Sequence, residues 1–306
     1  MPLAPLPEPS SRLERLHRLS RGIPIATFLG SALLGINALQ MASLAIKPVS
    51  RATFRRFNRG AADTWWGFCV TIAERVNGTT IVVTGDEVPP LENTIVVANH
   101  QQMPDITFLM QFARTKGRLG DLKWFVKKAL KYVPGVGWGM VFLDCLFVER
   151  RWTDDQDRIA QIFHQIVSER IPLWLITFVE GTRMTPEKVT AAQAYARDRG
   201  FPPTDHVLVP RTKGFVASVQ GLRDHIDAVY DVTIGYEEGV PSLWQYAKGQ
   251  VGKAHLHVRR YPVADLPNDP SQLADWLFQL FQEKDDLLAH YYEHGAFPAG
   301  RDLKGR

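Results

Sequence analysis

The sequence predicts an α/β fold, a mixed sheet of about seven strands flanked by helices and preceded by an N-terminal membrane helix or helical hairpin. Three observations carry that prediction. Short β-branched runs alternate with helical stretches from Thr79 to about residue 291, with no long linker between them. An uncharged apolar stretch bounded by Ile23 and Ile46 is 24 residues long, enough to cross a hydrocarbon core of ~30 Å. The 306 residues are 45% hydrophobic and 22% charged, which suits a folded chain and argues against a disordered or polytopic one.

Residues 1–22 form a tail that opens with Pro2, Pro5, Pro7 and Pro9 and turns basic with Arg12, Arg15, Arg18 and Arg21. The apolar stretch follows, broken only by Pro24, glycines, Asn37, Gln40 and small hydroxyl residues. Lys47 and Pro48 stand where a signal peptide would show a small-residue cleavage site, so residues 23–46 read as a retained anchor. Lys47, Arg51, Arg55, Arg56 and Arg59 make the second flank basic too. Charge therefore chooses no orientation, and a span and a hairpin dipping into one leaflet both fit. The run 65–76 is aromatic and apolar and reads as a second, interfacial helix, with Trp65 and Trp66 at the lipid boundary. Residues 23–76 are then one membrane-embedded or interfacial helical segment.

Beyond it, strands are expected at residues 80–84, 94–98, 142–148, 174–179, 207–209, 228–234 and 254–259. Helices are expected at 105–114, 121–131, 154–170, 186–199, 212–221 and 271–291. The third helix has Thr153 as its expected N-cap with Gln156 three residues on, then Ile159, Ile162, Phe163 and Ile166 at helical spacing. The second places Lys123, Lys127, Lys128 and Lys131 on one arc, and with Arg114, Lys116 and Arg118 nearby it reads as a basic amphipathic helix facing anionic headgroups. Residues 77–291 thus form the main α/β unit, and residues 292–306 a polar C-terminal tail.

The net charge of +4 and pI near 9.0 are mild. They suit an anionic membrane surface or phosphate-bearing substrates, and are too small to imply nucleic acid. Cys69 and Cys145 are the two cysteines, which gives neither a disulfide framework nor metal-type spacing, so both read as ordinary buried thiols.

Residues 94–98 run into Asn99-His100-Gln101-Gln102-Met103-Pro104-Asp105. A His at a strand end sits where an α/β sheet presents groups to a cleft, and the spacing lets the chain turn and bring Asp105 onto the imidazole. A carboxylate there fixes the tautomer and stabilises the imidazolium, leaving the other nitrogen to take a proton from a substrate hydroxyl. Phe178-Val179-Glu180-Gly181-Thr182-Arg183 also follows an expected strand. Arg183 matches a phosphate by bidentate hydrogen bonds, Gly181 permits a sharp turn, Thr182 adds a donor, and Glu180 is expected to orient Arg183 or a substrate hydroxyl. Arg211 and Lys213, in Pro210-Arg211-Thr212-Lys213-Gly214, stand at another strand-to-helix junction suited to an anion. Leu146-Phe147-Val148-Glu149-Arg150 ends a fourth strand on Arg150.

Together these motifs resemble the 1-acylglycerol-3-phosphate O-acyltransferase family of glycerolipid acyltransferases. Its N-H-x4-D block is matched by Asn99, His100 and Asp105, its F-x-x-R block by Phe147 and Arg150, and its E-G-T-R block by Glu180 to Arg183. Its Pro after an apolar strand is matched by Pro210. The run from Lys127 to Trp138, together with Phe178 to Arg183 and Pro210 to Phe215, is similar to the branch that holds lysocardiolipin and lysophosphatidylinositol acyltransferases. Asp144 replaces the glycine usual in the family, Glu149 the usual Asp, and Gln101 and Gln102 stand where a Ser and a small residue are common. The resemblance implies an acyltransferase acting on a lysophospholipid, 1-acylglycerol-3-phosphate or a relative with a larger headgroup. Acyl-CoA would be a co-substrate, with no cofactor and no metal. It implies His100 and Asp105 as the catalytic dyad, Glu180 to Arg183 as the headgroup seat, and Arg150, Arg211 and Lys213 as further phosphate contacts. It also implies a phospholipid membrane as partner and a catalytic domain on the cytoplasmic side. The membrane would be the endoplasmic reticulum in a eukaryote and the inner membrane in a bacterium.

Overall fold

In the strand β2 (Thr94–Ala98) every side chain is buried. Val96 and Ala98 enter one hydrophobic cluster, Ile95 and Val97 the other. Apolar residues on both alternating sets are what a strand covered on both faces requires. The computed structural model describes residues 4–149 and 152–300, and the other strands it contains are β1 (Thr80–Gly85), β3 (Leu122–Lys127), β4 (Leu146–Val148), β5 (Trp174–Thr177), β6 (Ala228–Tyr236) and β7 (Lys253–Pro262). They form a seven-stranded sheet in the order β1-β7-β6-β2-β5-β3-β4. The five strands from β6 to β4 are mutually parallel, while β7 runs antiparallel to β6 and parallel to β1. The sheet is therefore mixed, as expected.

The helices are α1 (Arg12–Ala42), α2 (Arg51–Thr71), α3 (Pro104–Thr115), α4 (Val136–Phe142), α5 (Trp152–Ser168), α6 (Pro186–Asp198), α7 (Thr212–Leu222), α8 (Leu243–Ala247) and α9 (Pro270–His294). Trp66 and Val70 of α2 and Phe108 and Phe112 of α3 cover one face of the sheet. Ile159 and Phe163 of α5, Phe215 and Val219 of α7, and Leu277 and Leu280 of α9 cover the other. A layer on each face leaves the carboxyl ends of the parallel strands as the open rim, which is where such sheets hold ligands.

Helices α1 and α2 are an antiparallel hairpin. Arg21 meets the Val76 carbonyl, Phe28 the Phe68 ring, the Trp65 indole N–H the Leu29 carbonyl at 3.1 Å, and Asn58 the Ser43 hydroxyl at 3.0 Å. With its following turn to Ala45, α1 is long and apolar enough to cross a membrane. Toward its end the larger polar residues are turned inward: Asn37, Gln40 and Ser43 are buried, while Ile23, Phe28, Leu34, Leu39, Met41 and Leu44 along the segment are exposed. That is the reverse of a helix on a water-soluble surface.

Several expectations are corrected. Trp66 is 5% exposed within the sheet's own core, one of a ridge with Phe54, Asn58, Ala62 and Val70, so it is no lipid anchor. Helix α2 is part of the main fold: Arg59 pairs with Asp121 at 2.9 Å, and Arg55 with Asp144 and Glu169. Those two arginines hold the hairpin to the sheet and are not free for headgroups.

Residues 121–131 are not one helix: 122–127 are a strand, and only Lys128–Tyr132 after it is helical, as a short 3-10 turn. Leu122, Trp124 and Val126 alternate into β3, and Lys123 is buried with its ammonium on the Leu143 carbonyl. The run carries both periods, and pairing with β5 and β4 selects the strand. Residues 207–209 are not a strand but a loop, and the 142–148 strand shrinks to β4 because α4 occupies Phe142. Asp144 has φ 54°, so the position where the family has glycine is left-handed here, a conformation Asp tolerates. Helix α5 already includes Trp152, which puts Thr153 inside its first turn rather than at the cap. Of the two thiols, Cys145 is buried and Cys69 only partly so.

Candidate active site

Strand β2 ends at Ala98, and the next three residues are bound by neighbours on either side. The Asn99 side chain bonds both backbone groups of Ile234 on β6, at 3.1 and 2.8 Å, continuing the ladder with an amide in place of a peptide. Gln101 reaches the same carbonyl at 2.8 Å. The His100 N–H donates to Glu180 at 2.7 Å and its carbonyl accepts from Met184 N at 2.9 Å. The imidazole lies flat on Phe178, centroids 4.0 Å apart, and Phe178 stacks in turn on Trp124 at 6.4 Å.

Asp105 falls at the start of α3, behind Pro104, with its side chain fully buried. One oxygen accepts from the Gln102 N–H at 2.8 Å and faces His100 Nδ1 at 2.9 Å, and the other accepts the Tyr236 hydroxyl from the end of β6. The helix N-terminus favours the negative charge. A carboxylate already taking two donors faces the ring as an acceptor, which assigns the proton to Nδ1 and leaves Nε2 to accept. Nε2 has no hydrogen-bond partner among the described residues.

Glu180 does not orient Arg183. It is fully buried, and its two oxygens accept the backbone N–H groups of His100 at 2.7 Å and Leu208 at 3.1 Å. One side chain thus pins the loop after β2 to the loop before α7. Burial pushes its carboxyl up to about 8, against the pull of those two N–H groups. Behind it, buried Lys284 of α9 contacts the Val232 carbonyl at 2.9 Å and Asp231 at 2.5 Å, and Arg259 reaches Asp231 at 2.7 Å. Burial alone would raise the Asp231 carboxyl, but Lys284 and Arg259 outweigh it and hold it low.

The cations collect around the turn after β5. Gly181 has φ 69°, the left-handed region that favours glycine, and the Arg211 side chain lies close over it, 2.9 Å from where a Cβ would stand. Arg183 is exposed and held by Gln102 Oε1 at 2.5 Å. Lys188, which the motif reading passed over, donates to Thr182 Oγ1 at 2.7 Å and the Arg183 carbonyl at 2.9 Å. Its signal was present in Thr185-Pro186, the cap and first position of α6. Arg211 precedes α7 with its N–H on the Val179 carbonyl at 2.7 Å, and Lys213 is exposed in the first turn. Arg150 lies outside the described residues.

Comparison with known proteins assigns the family. A family model described as acyltransferase matches residues 80–237, and one described as acyltransferase C-terminus matches residues 246–305. The 1-acyl-sn-glycerol-3-phosphate acyltransferase 3 of Arabidopsis thaliana is 34% identical over 289 residues, covering 90% of this chain and 75% of that protein. The chain belongs to the acyltransferase family. This acyltransferase is also 34% identical over 270 residues to the human 1-acyl-sn-glycerol-3-phosphate acyltransferase gamma, covering 87% of this chain and 72% of that one. It spans 63% of the length of the probable acyltransferase 5 of A. thaliana, at 36% identity over 77% of its own. The crystal structure of the 1-acyl-sn-glycerophosphate acyltransferase of Thermotoga maritima shares its fold, with a TM-score of 0.55 at 16% identity, covering 91% of this chain and 98% of that one.

Tyr236 was not visible as part of the acyltransferase site from sequence, because 131 positions separate it from Asp105. Tyr236→Phe keeps the ring and removes the only donor, among the described residues, to one oxygen of a buried carboxylate. A hydrogen bond to a charged group is worth ~1.5–3 kcal/mol, so the melting temperature is expected to fall, and kcat by about tenfold or more in the fraction that stays folded, as Asp105 loses one of its anchors. Steady-state kinetics on the purified variant check this, and an unchanged kcat removes Tyr236 from the machinery.

Proposed function

We propose that this acyltransferase moves a fatty acyl group from acyl-CoA to the free hydroxyl of a lysophospholipid, with 1-acylglycerol-3-phosphate as the acceptor. The observation that carries the reading is the juxtaposition, on one rim of the sheet, of His100 backed by Asp105 with the basic turn of Arg183, Lys188 and Arg211. The dyad suits proton transfer, and the turn suits a phosphate monoester. His100 Nε2 takes the proton of the acceptor hydroxyl as its oxygen attacks the thioester carbonyl. The tetrahedral adduct then collapses, the C–S bond breaks, and the imidazolium returns the proton to the departing thiolate. Asp105 stabilises the imidazolium between the two steps. No protein nucleophile is needed, and the acyl group passes directly from sulfur to oxygen.

The relatives' names, each an acyltransferase of 1-acyl-sn-glycerol-3-phosphate, support the same acceptor. The outward apolar face of α1 supports a membrane-held enzyme that meets its acceptor in the bilayer. The deciding experiment offers labelled acyl-CoA and a panel of lysophospholipids in detergent micelles, with products read by lipid mass spectrometry. Acyl transfer dependent on acceptor and strongest with 1-acylglycerol-3-phosphate is expected. Free fatty acid released at the same rate without acceptor would make the protein a thioesterase instead.

Arg183→Lys keeps the charge and loses the planar fork. The acceptor KM is expected to rise about tenfold with the acyl-CoA KM nearly constant, since uniform binding of one substrate is what is lost. A rise confined to the acyl-CoA KM would move Arg183 to the donor site.

A further inference from the structure

Between β3 and β4 the chain makes a tight turn at Lys128–Tyr132 and then the short helix α4. Leu130, Tyr132, Val133, Val136, Trp138 and Val141 of this segment are all exposed, Tyr132 by 73%. Six large apolar or aromatic side chains within twelve positions are more than a water-facing surface ordinarily shows in one place. The opposite side of the segment is fully engaged. Gly135 lies against Leu33 of α1, Gly139 against Asn37 and Gln40, and the Phe142 ring stands 6.3 Å from Phe54 of α2. The glycines let α4 press close to the hairpin, and its bulky residues are left exposed beside α1, whose Leu34 and Met41 are exposed as well.

Charge and position narrow the partner. From Leu122 to Val141 the sequence contains Lys123, Lys127, Lys128 and Lys131 and no acidic residue. Lys123 is buried and Lys128 pairs with Glu149, while Lys127 is exposed and Lys131 partly so. Apolar and aromatic side chains edged by lysine match the boundary between acyl chains and anionic headgroups. The segment also adjoins the site: β3, which leads into it, carries Trp124, and Trp124 stacks on Phe178, which stacks on His100.

We infer that residues 130–141 are a second lipid-contacting element, seated in the phospholipid interface beside α1 and presenting the rim that carries His100 to lipid in the bilayer. The inference rests on the membrane reading of α1. It goes beyond that reading by bringing part of the sheet's own rim, and not only the N-terminal hairpin, into the lipid.

The test uses the 306-residue chain in vesicles of phosphatidylcholine and phosphatidylglycerol. The photoreactive residue p-benzoylphenylalanine replaces Trp138, Leu34 or, as a control, the exposed Tyr195 of α6. After illumination, intact-mass analysis is expected to find phospholipid adducts at positions 138 and 34 and none at 195. An adduct at 34 without one at 138 overturns the inference and leaves the anchor standing. Adducts at neither overturn the anchor as well. A product of twice the chain mass from position 138 assigns the face to a second copy and overturns the inference.

A kinetic measurement tests the consequence. The double variant Val136→Asp with Trp138→Asp should raise the KM for a vesicle-borne lysophospholipid at least fivefold. The KM for a water-soluble short-chain acceptor should be unchanged. Equal KM values for variant and wild type on vesicles would also overturn the inference.

Discussion

His100→Ala is expected to lower kcat/KM by at least ~10²-fold, the usual scale for losing a positioned general base. The protein should remain folded, because the contacts that seat this residue are made by its backbone, whose N–H and carbonyl bond Glu180 and Met184. The side chain contributes the Phe178 stack and the Asp105 bond, and it retains 12% exposure. Asp105→Asn should be at least as damaging. An amide nitrogen in the place of the oxygen that faces His100 opposes both the Gln102 N–H and the Nδ1 proton, and drives the ring to the tautomer that carries its proton on Nε2, where the substrate proton must go. An amide nitrogen turned instead toward Tyr236, whose hydroxyl can rotate to accept, keeps the tautomer but removes the negative charge that stabilises the imidazolium. Initial rates and circular dichroism on the same preparations check both variants. Turnover within tenfold of wild type in either one would remove the dyad from the mechanism.

Glu180→Gln is expected to cost both stability and turnover. Each oxygen of Glu180 accepts one backbone N–H, so the glutamine NH2 must oppose that of either His100 or Leu208. A buried donor left unsatisfied costs ~1–3 kcal/mol. Displacing the His100 backbone by about 1 Å would misplace the base, and a ~10²-fold loss in kcat is the expected scale.

The wild type should also reveal this group in its pH dependence. Burial raises the Glu180 carboxyl from 4.5 to about 8, so the native state binds more protons than the unfolded chain between those values. Its contribution to stability is therefore fully present below the unfolded value and is lost as pH rises through about 8. Denaturant midpoints measured from pH 5 to 9 (the range is roughly that of native-state stability) should carry a falling component. That component should vanish in Glu180→Gln, which does not ionise. Parallel profiles for the two proteins would show that Glu180 keeps an ordinary carboxylate range despite its burial.

The role of Glu180 shows where reading residues in order stops being enough. The E-G-T-R run announces a turn, a phosphate-binding arginine and a carboxylate, and in sequence the carboxylate stands beside the arginine it was expected to orient. In space Glu180 turns the other way, toward His100 and Leu208, because β5 lies next to β2 in the sheet. Gln102, from the histidine motif, holds Arg183 instead. The two motifs have in effect exchanged partners. Tyr236 and Lys284 carry no motif at all and join the site region only because β6 and α9 pack there.

What the sequence determined by itself was whatever is written in a local period or a local turn. Strand β2 matched its expected bounds, and α3, α6, α7 and α9 lay within three residues of theirs, because apolar spacing and caps are short-range signals. The approach of Asp105 to His100 was likewise a matter of five positions and a proline-started helix. Tertiary structure decided the rest. Residues 122–127 satisfy helix and strand periods alike, and the hydrogen bonds offered by β4 and β5 settled them as a strand. Trp65 and Trp66 are adjacent and equally aromatic, yet one bonds α1 while the other fills the core under the sheet. Which way a side chain faces depends on what packs against its helix, and that energy comes from contacts distant in sequence, which no local pattern records.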